Sequence, residues 1–148
     1  VTLRNVPSAG ARHALETYVL ANRVEGLAQG LYHYLALEHA LQLQQGGAAV
    51  AEQLVSACLG QGMVGTANAS LFWTAVPYRM TWRYGERGYR YLYLDAGHVC
   101  QNLYLAAQAV GGGVCAIAAF DDDLLNAELG IDGEALFAAY AASLGKRA

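Results

Sequence analysis

The stretch from Tyr89 to Val110 constrains this chain more than any other. Its apolar residues, Tyr89, Leu92, Ala96, Val99, Leu103, Ala106 and Val110, alternate in steps of three and four. That spacing places them on one side of a continuous helix and predicts a buried seam. Gly111-Gly112-Gly113 ends it, because glycine is costly inside a helix and cheap just past its end. Such a helix is on the order of 30 Å long, about the width of a small domain. The remaining segments must pack on it in layers. A second row, Asp95, His98 and Asn102, shares one face of the helix, and a basic, aromatic stretch, Trp82 to Tyr91, leads into it.

With 148 residues the chain suits a single domain over 1–148. Hydrophobic residues make up 55% and charged residues 14%, which excludes a disordered tail and exceeds the burial a lone monomer of this size needs. A homodimer is therefore expected, with the small residues Ala96, Gly97, Ala106 and Ala107 letting a second helix approach. The net charge of -3 gives no footprint for nucleic acid. No apolar run approaches a membrane span. Val1 is not an initiator Met, no signal-peptide pattern follows it, and the boundary reads as one of processing, cloning or cropping. Cys58, Cys100 and Cys115 are far apart and in apolar company, so they read as buried thiols of a reducing, cytoplasmic compartment. No Cys or His pair has metal-ligand spacing, and no metal is expected.

Around the long helix, Glu16 to Val24 reads as a strand, and Leu31–Leu35 with His39–Leu43 as a hairpin. Ala48 to Leu59 has helix composition, and Ser70 to Val76 reads as a strand before Pro77. Val114 to Phe120 is a buried strand or loop. Asp121-Asp122-Asp123 caps a helix over Leu124–Leu129, stopped at Gly130. Strands and helices mix without strict alternation, which favours an α+β fold.

Three places carry candidate chemistry. The turn Pro7-Ser8-Ala9-Gly10 offers a hydroxyl and backbone N–H groups to an anion or ring carbonyl; it also reads as an ordinary loop. Arg83 and Tyr84 lie where the chain enters the long helix, close to Arg87 and Arg90. A tyrosine among cations can give or take a proton, and such a stretch can equally be a solvated basic turn. Asp95 and His98 stand at a spacing used in triads, but no nucleophile motif accompanies them. They read as part of a polar network pinning the helix to its neighbours. Lys146-Arg147 could clamp a phosphate or simply fray.

The order of these pieces is more specific than any one of them. Pro7-Ser8-Ala9-Gly10, then Arg83-Tyr84-Gly85 with Arg87-Gly88-Tyr89-Arg90-Tyr91, then Leu94-Asp95-Ala96-Gly97-His98 with Gln101-Asn102-Leu103, then Ile117 to Asp121 resembles the nitroreductase superfamily, and within it the SagB-type dehydrogenases that include azoline oxidases. The resemblance implies an α+β nitroreductase-like sandwich and FMN as cofactor. It also implies a homodimer with a flavin at each end of the interface. The substrate would be a small molecule or a modified peptide, with NAD(P)H as a candidate electron donor.

For individual residues, the resemblance sets Pro7, Ser8, Ala9 and Gly10 along the flavin, with Ala116, Ala118 and Ala119 facing its ring near the reactive nitrogen. Arg4, Arg12, Lys146 and Arg147 would lie toward the FMN phosphate. Arg83-Tyr84 matches a catalytic Lys-Tyr pair. Arginine does not readily give up a proton, so proton transfer would fall to Tyr84. The family also carries an Arg-rich N-terminal helical segment. Here only Arg4 precedes the turn, so that segment either lies outside this sequence or is reduced in a shortened form. The same resemblance admits a flavin-free structural or partner-binding member of the fold. It implies a strand over Ala135 to Leu144, against the helix propensity of alanine.

Overall fold

The computed structural model describes residues 4–146. Strand β1 (Leu15–Ala21) is followed by a hairpin of β2 (Gly30–Leu35) and β3 (Ala40–Gly46). Helices α1 (Ala49–Ala57) and α2 (Met63–Thr66) lead to β4 (Ala69–Ala75). Helix α3 (Tyr78–Tyr84) and the long α4 (Gly88–Ala109) precede β5 (Gly112–Ile117), α5 (Asp122–Leu129) and β6 (Phe137–Lys146). The six strands form one antiparallel sheet in the order β3-β2-β1-β4-β6-β5. This is the α+β architecture expected, and among the described residues no helix is long and apolar enough to cross a membrane.

The alternation of β4 builds both layers. Phe72 points to the face covered by α1, α2 and α5, where Tyr18, Leu20, Leu54, Val64 and Leu125 meet it. Trp73 points to the other face, against Cys100 of α4 and Ala142 of β6. Both aromatic side chains are fully buried, each contributing about 1.5–3 kcal/mol by leaving water.

β6 is a strand as the resemblance implied, despite its alanines. It pairs with β4 on one side and β5 on the other, and Ala138, Ala141 and Ala142 are buried in the sheet. Tertiary context here overrides propensity. Asp121 caps α5 by accepting the Leu124 N–H at 2.9 Å, and Gly130 ends the helix in the left-handed conformation.

Other expectations need correcting. β1 stops at Ala21, because the next two N–H groups, of Asn22 and Arg23, both turn to the Asn68 carbonyl, each at 3.0 Å. The seam of α4 is half right. Leu92 and Ala96 are buried, but Tyr89, Ala106 and Val110 are exposed, while Cys100 and Ala107 are buried in their place. A strict three-four alternation has a period of about 3.5, and on a straight helix it drifts by about 20° per heptad. Cys58 and Cys100 are buried, whereas Cys115 is exposed on the edge strand β5.

Candidate functional site

Val76 and Pro77 follow β4 and start α3, so the sheet itself delivers Arg83 and Tyr84 to one of its ends. They do not lie in a turn, as the sequence suggested, but in the last turn of a separate helix. Gly85, at φ 56° and ψ -146°, breaks the path, and a short 3-10 turn, Gly85–Arg87, reorients the chain into α4. Gly88 lets the two helices touch: a Cβ there would lie 3.1 Å from backbone atoms of Met80 and Thr81. The Tyr84 ring packs edge-on against Tyr91 of α4 at 4.9 Å, over a cluster of Ala14, Ala75, Met80 and Leu92.

The Pro7–Gly10 turn lies directly on this helix end. Gly10 has a positive φ, and a Cβ built on it would collide with Oη of Tyr84 and lie 3.7 Å from Nε of Arg83. Arg12 donates from Nε to the Gly10 carbonyl at 2.9 Å and stacks over Trp82 at 5.2 Å. The Arg83 guanidinium lies over the Tyr84 ring at 5.6 Å. Two motifs more than seventy positions apart in sequence thus form one surface, with two guanidinium groups, a phenol and an exposed glycine.

The polar row of α4 pins this turn. Asp95, buried on α4, accepts the Ala9 N–H at Oδ1, 3.3 Å. Asn102 donates to the Asn5 carbonyl at 3.3 Å, and Ser8 Oγ accepts the His13 N–H at 2.9 Å. His98 faces solvent, and among the described residues no hydrogen bond joins it to Asp95. The triad-like spacing is therefore not a triad, and the network acts through Asp95 and Asn102.

The remaining site residues are placed apart from this junction. Ala118 and Ala119 are exposed just past β5, and Ala116 donates its N–H to Tyr104 Oη at 3.0 Å. Extending the Ile117–Ala141 pairing by one residue sets Ala118 level with Thr17, but three strands away, about 14 Å. Lys146 pairs with Gly112 and donates its N–H to Asn68 at 3.1 Å, at the sheet end where β1 finishes. The turn precedes the other end of β1, about 20 Å away along the strand. Within one chain Lys146 does not join Arg4 and Arg12. Arg147 lies outside the described residues.

Arg4, Arg12, His13 and Arg79 line an open groove of about 510 Å³ beside the turn, together with Glu16 and Glu38. Arg79 pairs with Glu16 at 2.5 Å and donates to the His13 carbonyl at 3.3 Å. Burial, then Arg4, holds the His13 imidazole below its usual value, with the Asp95 carboxylate pulling the other way. Sequence reasoning missed His13, Arg79 and Trp82. Their partners are remote in the chain, and the one local sign was that His13 stands three residues after Gly10 of the turn. Among the described residues no group of His, Cys, Asp or Glu could hold a metal ion.

Comparison with known proteins bears on the family and the fold. The model of the Nitroreductase family matches residues 2–146. Protein MJ1384 of Methanocaldococcus jannaschii, which carries a provisional nitroreductase name, is 38% identical over 120 residues, covering 81% of this chain and 60% of that protein. The trifolitoxin-processing protein TfxB of Rhizobium leguminosarum bv. trifolii is 34% identical over 110 residues, covering 72% of this chain and 30% of TfxB. A crystal structure from Anabaena variabilis, also provisionally named a nitroreductase, superposes with a TM-score of 0.85 at 34% identity, over 99% of this chain and 30% of that one. The chain thus spans between about a third and three-fifths of the length of these relatives.

Proposed function

Because the chain belongs to the nitroreductase family, we propose that it forms part of an FMN-dependent oxidoreductase of the SagB-type dehydrogenase kind, which transfers hydride through bound flavin. The observation that carries this reading is the junction of the two motifs. Gly10 presents bare backbone where any side chain would strike the Tyr84 phenol, and Arg12 and Arg83 flank it. Such a surface fits a flat, anionic ligand: guanidinium groups suit phosphate and stack on rings, and the glycine lets the Tyr84 hydroxyl stand against the turn. Ser8 and Gly10 would face the flavin with a hydroxyl and backbone, and Arg83 would set the local charge. Tyr84 Oη is positioned to hold or release a proton. Bound FMN would supply hydride chemistry that the side chains lack.

The distance of Lys146 and of Ala116–Ala119 from the turn gives the proposal a second part. A second copy of the chain would bring these residues to the first copy's turn, so a homodimer belongs to this reading. The likeness to TfxB, named for processing trifolitoxin, supports a modified peptide as substrate, with a small molecule as the other class. NAD(P)H is the proposed donor where reduced flavin is required.

A flavin-free, partner-binding member of the fold is the second reading, favoured by that same separation of Lys146 from Arg4 and Arg12 within one chain. The visible absorption spectrum of the purified chain, before and after adding FMN, separates the two. A retained or acquired flavin spectrum supports the oxidoreductase. A colourless protein that leaves added FMN unchanged supports the partner-binding member.

A further inference from the structure

Beneath the turn, between it and α4, lies a small, partly open cavity of about 50 Å³. Two polar atoms lie buried there with no hydrogen-bond partner among the described residues, Oδ2 of Asp95 and Nδ1 of His13. Asp95 is only 4% exposed, and its other oxygen already holds the Ala9 N–H. An orphaned buried carboxylate oxygen is expensive to leave unpaired, and native proteins pair such groups almost without exception. The volume matches one or two water molecules, since a water occupies about 30 Å³ of liquid. The chemistry matches as well. With its proton on Nε2, His13 offers an acceptor at Nδ1, and Asp95 Oδ2 is also an acceptor. A single water has two O–H donors, one for each. Ser8 and Thr17 line the same cavity, and their hydroxyls can donate to the water oxygen.

We propose that this cavity is a hydration site in which ordered water joins Asp95 Oδ2 to His13 Nδ1, making Asp95 and His13 a positioning pair for the Pro7–Gly10 turn. Asp95 holds the turn directly through Ala9, and the water extends that hold to His13 at the turn's far end. His13 sits at φ 47°, an uncommon conformation for a non-glycine residue, which persists only where its surroundings fix it. Gly10 lies between the two anchors, so the contact with Tyr84 depends on both. The site stands independently of flavin binding.

The test is a histidine titration by nuclear magnetic resonance on the unmodified chain and on Asp95→Asn, with His13→Gln identifying the signal. The charged groups around His13 are Arg4 and Arg12 in its own segment, Asp95 of α4, Arg79 of α3, Glu16 of β1 and Glu38 between β2 and β3. Removing the Asp95 charge should lower the His13 midpoint by up to about one pH unit, because an anion favours the imidazolium form. An unchanged midpoint in folded Asp95→Asn would overturn the proposal, since Asp95 and His13 would then not face each other across the cavity. A crystal structure of the unmodified chain decides the matter even if that variant does not fold. Water within hydrogen-bond distance of both atoms is the expected result. A dry cavity, or a direct Asp95–His13 bond, would overturn it.

Discussion

Gly10 and Tyr84 set the smallest scale on which the site can fail. Gly10 sits at φ 56°, and a methyl group there would collide with the Tyr84 phenol. Gly10→Ala should therefore cost about 1–2 kcal/mol from the left-handed backbone alone and push Tyr84 from its place on Tyr91. A lower urea midpoint with an unchanged slope is the expected result. Reactivity separates the cysteines. Burial pushes the Cys58 thiol up to about 11, while Cys115 is exposed, so a thiol reagent should label Cys115 in the folded protein and spare Cys58. Peptide mapping after brief alkylation checks this. His13 predicts a pH dependence. Its folded value lies below the usual 6.5, so the unfolded chain binds a proton that the folded one resists. Its contribution to stability is complete above about pH 6.5 and is lost as the pH falls through the folded value. Urea melts on either side of that window should show the loss, and His13→Gln should reduce it.

Among the elements, the elbow between α3 and α4 fixes where Tyr84 stands. Gly88 allows the helices to meet, and Gly88→Val would force backbone apart at Met80 and Thr81. A loss of about 1–3 kcal/mol is expected, as for overpacked cores, read as a lower thermal midpoint. This elbow also marks the limit of what the sequence disclosed. α4, α5 with its Asp121 cap, and the β2–β3 hairpin were legible because their signals are local: periodicity, capping and glycine placement. α3 was not legible, because Arg83-Tyr84-Gly85-Glu86 continues smoothly toward the long helix and only the backbone at Gly85 reveals the break. β6 was legible through resemblance alone, since Ala138 to Ala142 read as helix until two neighbouring strands pair with them. At the site, the Pro7–Gly10 turn and Arg83–Tyr84 were each visible in the sequence. Their contact was not, nor was the unpaired Asp95 oxygen beneath them, because both arise from segments far apart in the chain.

At the scale of the whole chain, the described residues leave much apolar surface uncovered. Tyr93, Leu94, Leu105 and Val110 are more than half exposed along α4. Beside that helix, Val19, Leu71, Trp73 and Leu103 line an open groove of about 640 Å³ on the sheet. Exposed apolar area on this scale marks an interaction surface. A homodimer by sedimentation at micromolar concentration is the expected result, and a monomer there would count against the shared site. If the second copy supplies basic groups to the flavin phosphate, Lys146→Ala with Arg147→Ala removes two charge-assisted bonds. At roughly 1.5–3 kcal/mol each, FMN affinity should fall by about 10²–10⁴-fold. Tyr84→Phe should leave affinity nearly unchanged and slow turnover, since it removes a proton-carrying oxygen and keeps the ring on Tyr91. FMN binding at the junction of Gly10, Arg12, Arg83 and Tyr84 is tested most directly by titrating FMN into the purified chain while following flavin fluorescence. A saturable change that levels at one flavin per chain is predicted, and flavin fluorescence that stays constant throughout the titration would contradict it.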